Sequence, residues 1–266
     1  MKTRGFTLVE LVVAIAISSI VIVFAAMFIG APLGAYEAHS RRAALVADAS
    51  GAWPRMEADL RLALPNSLRT RRNGVFVVVE MLPVMDVARY MTSPSAPSFT
   101  TAGVYRGAAA PAYLSVNNLG APGADAYSLT GSMVPAANFL ALPGAAPDEQ
   151  MISVTPAPAF GADSLQRWMY FVGNPVTYLC DEGQGTLRRY SSYTLAANQA
   201  ALDSPAELAA AGASNELITQ GLTSCNVSVT APGSVTVSQS AAVRLTTVRN
   251  GDIVTLLHSS AGQYLP

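Results

Sequence analysis

Charged residues are scarce in this chain. Only 12% of its 266 residues are Asp, Glu, Lys or Arg, whereas about 25% is typical of a soluble domain. The formal net charge is -1, and residues 69–72 form the only local concentration of basic side chains. Nucleic-acid-binding domains usually carry an extended basic face. The composition therefore argues against nucleic acid as a partner.

Residues that often carry catalysis or bind metals are also few. The two histidines, His39 and His258, have no cysteine or carboxylate at the spacing of a zinc site. The short run Gly183–Gly185 lacks the third glycine and the preceding strand of a phosphate-binding loop, and no Gly-x-Ser-x-Gly elbow occurs. Asp181 and Glu182 lie beside glycines, but the ligand spacing of a calcium loop is absent. We expect no enzymatic activity, no cofactor and no metal site.

A long uncharged run follows a short basic leader at the N-terminus. Lys2 and Arg4 precede Gly5, and residues 11–29 contain no charged side chain. A helix of about 20 apolar residues crosses the hydrocarbon core of a bilayer, so this run predicts one membrane span. The basic leader places the N-terminus in the cytoplasm and the chain after about residue 30 outside, by the positive-inside rule.

Glu10, at the start of this span, is poorly suited to a membrane. A carboxylate inside a bilayer costs about 2.5–3.5 kcal/mol on insertion scales, which makes Glu10 a candidate functional residue. One interpretation places it at the level of the lipid headgroups, where it needs no partner. In the other, cleavage after Gly5 gives Phe6 a free α-amino group, and Glu10 neutralises the amine of a neighbouring copy.

Residues 4–11, Arg-Gly-Phe-Thr-Leu-Val-Glu-Leu, resemble the prepilin signature of type IV pilins and type II secretion pseudopilins. The resemblance implies that a prepilin peptidase cuts between Gly5 and Phe6, and that Phe6 is N-methylated. It also implies that Glu10 guides assembly with other major and minor pilins into a hetero-oligomeric filament. An ordinary signal peptide is disfavoured because the small residue precedes the apolar run instead of following it. A plain signal anchor is the other alternative.

Four scattered segments resemble the protein O family of minor pilin-like subunits in mannose-sensitive haemagglutinin (MSHA) pilus biogenesis, which is similar to the PilW and type II secretion J-type minor pilins. They are residues 61–69, 175–181, 187–190 and 254–258. This resemblance implies a low-copy subunit that primes or caps a type IV pilus, stored in the bacterial inner membrane as a single-pass protein. A type II secretion minor pseudopilin is the alternative within this class. A membrane-anchored periplasmic binding module or adhesin is the alternative from another class.

The sequence predicts an α+β, pilin-like fold, with a long N-terminal helix packed on an antiparallel sheet. Pro32 should kink or loosen this helix, and Pro54 should bend it or begin a new helical segment. The predicted parts are a leader at 1–5, a transmembrane and filament-core helix at 6–30, an amphipathic helical continuation at 31–65, and a periplasmic β-rich domain at 66–266.

Within the periplasmic domain, residues 92–165 are rich in proline and alanine, and we expect an extended, partly ordered insertion that wraps the sheet. Residues 242–258 predict a hairpin, because Asn250-Gly251 is a strong two-residue turn signal. Other strands are predicted at 75–82, 168–172, 176–180, 186–193, 226–230 and 235–238, and a turn or a short strand at 86–90. A helix is predicted with Asp203 or Ser204 as its N-cap and Pro205 in its first turn, and a short helix or turn at 216–222.

Cys180 and Cys225 are the only cysteines, and both fall in the exported part of the chain. The periplasm is oxidising, so we expect a disulfide between them. Two free buried thiols are the alternative.

Overall fold

The computed structural model of the chain describes residues 7–129, 131–158, 160, 163–230, 239–249 and 251–261. The chain divides into two compact units, Met1–Ala47 and Asp48–Pro266. An apolar N-terminal helix is followed by antiparallel β-sheets, so the predicted α+β, pilin-like architecture is confirmed.

Helix α1 (Leu8–Gly51) is 44 residues long. Its backbone stays helical through Pro32, so the proline does not end the helix, although it removes one backbone donor. Residues Leu8–Phe28 form a segment long and apolar enough to cross a membrane, and none of this segment is buried within the protein. The predicted membrane span therefore corresponds to a continuous helix.

Helix α2 (Trp53–Arg61) begins where Pro54 can occupy the first turn without losing a hydrogen bond. The predicted break near Gly51 is thus present. The helix ends at Arg61, earlier than the predicted end near residue 65. Beyond it, the backbone N–H of Leu64 donates to the carbonyl of Leu82 at 2.7 Å, because the chain has already become extended.

Fifteen strands, one more α-helix and three single-turn 3-10 helices complete the described fold. The α-helix is α3 (Pro205–Ala210). In chain order the strands are β1 (Arg69–Asn73), β2 (Phe76–Met81), β3 (Val84–Tyr90), β4 (Ser98–Ala102), β5 (Tyr113–Val116), β6 (Met133–Pro135), β7 (Phe139–Pro143), β8 (Glu149–Val154), β9 (Trp168–Val172), β10 (Val176–Asp181), β11 (Thr186–Ser191), β12 (Ser214–Gln220), β13 (Leu222–Val229), β14 (Ser240–Arg249) and β15 (Asp252–Ala261).

The strands form three antiparallel sheets. A five-stranded sheet has the order β1-β2-β10-β11-β12, a three-stranded sheet has the order β13-β14-β15, and a seven-stranded sheet has the order β6-β5-β9-β3-β4-β8-β7. Strands β2 and β10 pair directly, with Met81 opposite Val176. All seven strands of the third sheet therefore lie between β2 and β10 in sequence, although β2 and β10 are neighbours in space.

This arrangement corrects the expectation for residues 92–165. Instead of wrapping one sheet as an extended segment, they supply β4 to β8, five of the seven strands of a sheet with its own core. Pro135 and Pro143 each end a strand, where the missing N–H disrupts no central ladder. Only residues 136–138 separate the two edge strands β6 and β7 in the chain, so the sheet must curl until its edges approach each other.

The five-stranded sheet is buried on both faces. Successive side chains of a strand point to opposite faces of the sheet, so alternate residues belong to two different hydrophobic clusters. Val79, Tyr178 and Leu187 pack with α2 and the three-stranded sheet. Val78 and Leu179, which are next to two of these residues in sequence, face the opposite side and pack with α3 and the segment before it.

The C-terminal hairpin is confirmed in the predicted register. Val243 lies opposite His258 and Leu245 opposite Leu256, while Asn250 of the turn lies outside the described residues. Helix α3 begins where predicted, and of the two candidate N-caps it uses Ser204, whose hydroxyl accepts from the backbone N–H of Glu207 in a capping box. The predicted helix or turn at 216–222 is wrong, since β12 occupies most of that segment. The strand predicted at 235–238 lies outside the described residues.

A buried ion pair lies within the five-stranded sheet. Glu80 is fully buried, and one of its oxygens, Oε2, accepts from Nε and Nη2 of Arg69 at 2.9 and 2.8 Å. The Tyr193 hydroxyl donates to its other oxygen at 3.3 Å. Burial raises the pKa of the Glu80 carboxyl above its ordinary value, although Arg69 and Tyr193 act in the opposite direction.

Replacing Glu80 with glutamine should change how stability depends on pH. A raised pKa means that the folded chain binds more protons, so the contribution of Glu80 to stability falls as pH rises through that pKa. The free energy of unfolding of the unmodified chain, minus that of Glu80→Gln, should be larger at about pH 5 than at about pH 8. Urea unfolding of the detergent-solubilised chain measures this difference, and an increase with pH would contradict it.

Candidate functional site at the N-terminal motif

Thr7 and Glu10 form a reciprocal cap at the start of α1. The backbone N–H and the hydroxyl of Thr7 each donate to Oε2 of Glu10 at 3.1 Å, and the backbone N–H of Glu10 donates to the Thr7 hydroxyl oxygen at 3.3 Å. This is the capping box of a Thr-x-x-Glu sequence, which satisfies backbone donors that a helix leaves unpaired at its start. It fixes the position of the Glu10 carboxylate relative to the helix axis.

Only one oxygen of Glu10 takes part in this cap. Both bonds from Thr7 reach Oε2, and within the described residues Oε1 accepts no hydrogen bond. A carboxylate has lone pairs on both oxygens, so Oε1 can still accept from a cationic donor while the cap is intact. The predicted processing residues Gly5 and Phe6 lie outside the described residues.

The surface of α1 after the cap is apolar on every side. From Leu8 to Phe28, the large apolar side chains are between 49% and 79% exposed. A helix that is apolar all round belongs in a lipid bilayer or among other apolar helices. Ser19 is an exception to this surface, and its hydroxyl donates to the carbonyl of Ala16 at 2.8 Å, which removes its need for water.

The two cysteines form a disulfide in the second compact unit. Cys180 on β10 and Cys225 on β13 are 6.5 Å apart between their Cα atoms, and both are buried. The bond joins the five-stranded sheet to the three-stranded sheet. Beside it, the carboxylate of Glu182 accepts from the backbone N–H of Cys225 at 2.9 Å and pairs with Arg72 at 2.8 Å. Arg72 lowers the pKa of the Glu182 carboxyl.

The other residues considered for chemistry have structural contacts. His258 stacks on Trp53, with ring centroids 4.6 Å apart, and His39 lies exposed on α1. Asp181 accepts from the backbone N–H groups of Gly183 and Gln184 at 2.9 Å and so caps a turn. Within the described part of the chain, no three His, Cys, Asp or Glu side chains come together as a metal site would require.

The N-terminal region matches a known family model. Residues 1–26 match the prokaryotic N-terminal methylation motif. This match supports a type IV pilin-like protein. No curated protein and no solved structure matches the chain. In a pilin-like protein the motif implies processing by prepilin peptidase and assembly with other pilins, and members are structural subunits rather than enzymes. The apolar helix fits a pilin-like protein anchored in the inner membrane.

The role of Thr7 was missed at the level of sequence. The signal was present, because Thr7 stands three residues before Glu10 and just before an apolar run, which is the pattern of a capping box. The sequence assigned Glu10 only a partner in a neighbouring copy, and the structure adds a contact within its own helix. The two roles are compatible, since they use different oxygens of one carboxylate.

Proposed function

We propose that this protein is a minor structural subunit that primes or caps a type IV pilus of the MSHA type. The observation that carries the proposal is the position of Glu10. It lies in the first turn of a helix whose surface from Leu8 to Phe28 is apolar except for two serines and Glu10 itself, within residues that match the methylation motif. A single fixed carboxylate at the start of an apolar helix can determine how far neighbouring helices are shifted along their axes when they pack.

The proposed assembly begins with cleavage between Gly5 and Phe6 and N-methylation of Phe6. The new α-amino group is cationic at neutral pH. In a bundle of apolar helices with little water, an unpaired charge is costly and an opposite charge stabilises it. The amine of a neighbouring subunit therefore pairs with Oε1 of Glu10, while Thr7 holds Oε2. The helix surfaces then pack through van der Waals contacts.

The size of the second unit supports a low copy number. Asp48–Pro266 contains three sheets, and the seven-stranded sheet is an addition to the part that follows α2. A domain of this size is difficult to repeat at each position of a closely packed shaft, whereas an end of a filament has free space. A type II secretion minor pseudopilin would have the same N-terminal features and is the nearest alternative.

An anchored binding module or adhesin is a second candidate. The observation that favours it is the exposure of large apolar side chains in the insertion, where Leu165 is 87% exposed and Leu140 is 59% exposed. Such side chains are suited to a contact surface. This candidate requires binding by the second unit but not the assembly role of Glu10.

The N-terminus of the protein from its native envelope tests the proposal. Intact mass and the N-terminal peptide should show a chain that begins at N-methylated Phe6. The Gly5→Val variant serves as a matched control, because a β-branched side chain replaces the cleavage-site glycine while the helix is unchanged. That variant should retain residues 1–5. A native chain that begins at Met1 or near Ala31 would contradict the pilin pathway.

A further inference from the structure

The edges of the three sheets differ in how they are protected from pairing with another chain. Exposed sheet edges in monomeric proteins usually carry charges, prolines or bulges, or are short. Strand β1 carries three arginines, β12 contains Glu216, β6 has three residues and β7 ends at Pro143. Strand β13 lies against β1, and Arg72 donates to the carbonyl of Cys225 at 2.8 Å. Each of these five edges is therefore short, charged or covered.

Strand β15 lacks these protections. It has ten residues, and none from Ile253 to Ser260 is charged or proline. It forms the outer edge of the three-stranded sheet, and among the described residues no strand pairs with its other side. On its outer face Ile253 is 68% exposed and Leu257 is 61% exposed. Long uncharged edges with exposed apolar side chains favour the addition of a further strand.

The register shows which backbone groups are available at this edge. Arg249 and Asp252 flank a two-residue turn and therefore form a hydrogen-bonded pair. Such pairs alternate with non-hydrogen-bonded pairs along an antiparallel ladder. Even-numbered residues of β15 thus bond to β14, and the N–H and C=O groups of residues 253, 255, 257 and 259 point away from it. An extended polypeptide supplies donors and acceptors at the matching spacing.

The outer face of the three-stranded sheet also has a charge preference. Arg244 is exposed and lies opposite Leu257, and the described residues give it no ion pair. A residue added opposite Leu257 lies two strand spacings from Arg244, about 9.6 Å. Arginine and glutamate side chains together can span that distance. The inner face of β15 is already occupied, because His258 stacks there on Trp53.

We propose that the outer edge of β15 binds an extended segment of a different filament subunit, which adds a fourth strand to the three-stranded sheet. The segment is uncharged along most of its length and carries a carboxylate opposite Leu257, near Arg244. The identity of the partner as a filament subunit rests on the proposed function. The location of the docking edge rests on the register and exposure of β15.

Amide hydrogen exchange of the full chain tests this proposal. In detergent, the amides of residues 253, 255, 257 and 259 should exchange quickly, because none of the described strands pairs with this edge. In the native envelope their exchange should slow by roughly 100-fold or more, because strand pairing must open before exchange occurs. Amides of residues 254, 256 and 258 should be protected in both samples. Equal exchange of the edge amides in the two samples would overturn the proposal.

Two variants at one position separate backbone pairing from general burial. Thr255→Pro removes an edge N–H without touching the ladder to β14, and Thr255→Ala keeps that N–H. Both lose the contact between the hydroxyls of Thr255 and Thr246. Protection of residues 253, 257 and 259 should be lost in Thr255→Pro alone. Equal protection in both variants would overturn strand pairing. Protected amides at 254, 256 and 258 in detergent show that each variant is folded.

The partner and the proposed function are tested separately. A photoreactive residue in place of Leu257 should crosslink to a peptide of another subunit, and a crosslink to β15 of a second copy would overturn the assignment to a different subunit.

The N-terminal peptide of the same sample tests processing. A chain that begins at Phe6 with unprotected edge amides contradicts strand docking alone. A chain that begins at Met1 contradicts the pilin pathway, whatever the exchange of β15.

Discussion

Replacing Glu10 with alanine should abolish incorporation of the protein into filaments while leaving the second unit folded. The substitution removes the carboxylate that, in the proposed assembly, pairs with the amine of a neighbouring subunit. Removing one partner of a buried ion pair costs about 3–5 kcal/mol, which corresponds to a loss of incorporation of roughly 100-fold or more. Immunoblots of sheared filaments, normalised to the membrane fraction, measure this loss. Normal incorporation of Glu10→Ala would show that the charge-pairing mechanism is wrong.

Thr7→Val is the matched control for the position of the carboxylate. Valine has nearly the shape of threonine but lacks the hydroxyl, so two of the three capping bonds are lost. The backbone N–H of residue 7 can still donate to Glu10. Loss of a helix cap costs about 0.5–2 kcal/mol, so incorporation should fall far less than in Glu10→Ala. Equal losses in the two variants would indicate that the helix cap, and not the free charge, is required.

Removing the disulfide should lower the free energy of unfolding by about 4 kcal/mol, the chain-entropy estimate for a loop of this length. Cys180 and Cys225 are separated by 45 positions in sequence, and the bond limits the conformations of the unfolded chain between them. It also joins two sheets, so its loss should weaken the three-stranded sheet more than the five-stranded one. The double variant Cys180→Ala/Cys225→Ala tests this by urea unfolding monitored on the full chain in detergent.

The control for the disulfide is the unmodified chain unfolded in the presence and absence of a thiol reductant. Both cysteines are buried, so a reductant should act only after the sheets open, and folded protein should resist it. Processing at Gly5 should be unchanged in the double variant, because the leader precedes the unit that holds the disulfide. A decrease in unfolding free energy below about 1 kcal/mol would contradict the expected contribution of the cross-link.

The parts of the fold that the sequence predicted well depend on local signals. The C-terminal hairpin was predicted in its correct register because one turn fixes which residues face each other. The start of α3 was predicted from two adjacent N-cap candidates, Asp203 and Ser204, and the proline that follows them. The apolar N-terminal helix was predicted because length and composition suffice to indicate a segment that can cross a bilayer. In each case residues a few positions apart determine the structure.

The parts that were not predicted depend on contacts between distant residues. The seven-stranded sheet pairs β3 with β9 across some eighty residues of chain, and short proline-bounded segments give no indication of such partners. The segment at 216–222 has alanines and a glutamate nearby, which favoured a helix, but pairing with β11 makes it a strand. The contacts that dock the insertion also join residues far apart in sequence, and no local pattern indicates them. One example is the Tyr127 hydroxyl, which donates to the carbonyl of Ser67, sixty residues earlier, at 2.9 Å.

The segment from β3 to β9 leaves and re-enters the five-stranded sheet at adjacent points. The backbone N–H of Gly173 donates to the carbonyl of Pro83 at 2.8 Å, so the outgoing and returning chains are hydrogen-bonded to each other. Strands β2 and β10 would need only a short turn if the intervening residues were absent. Because the two ends of this segment meet, its length and the surface it displays can change without displacing β2 from β10, whose pairing holds the five-stranded sheet together.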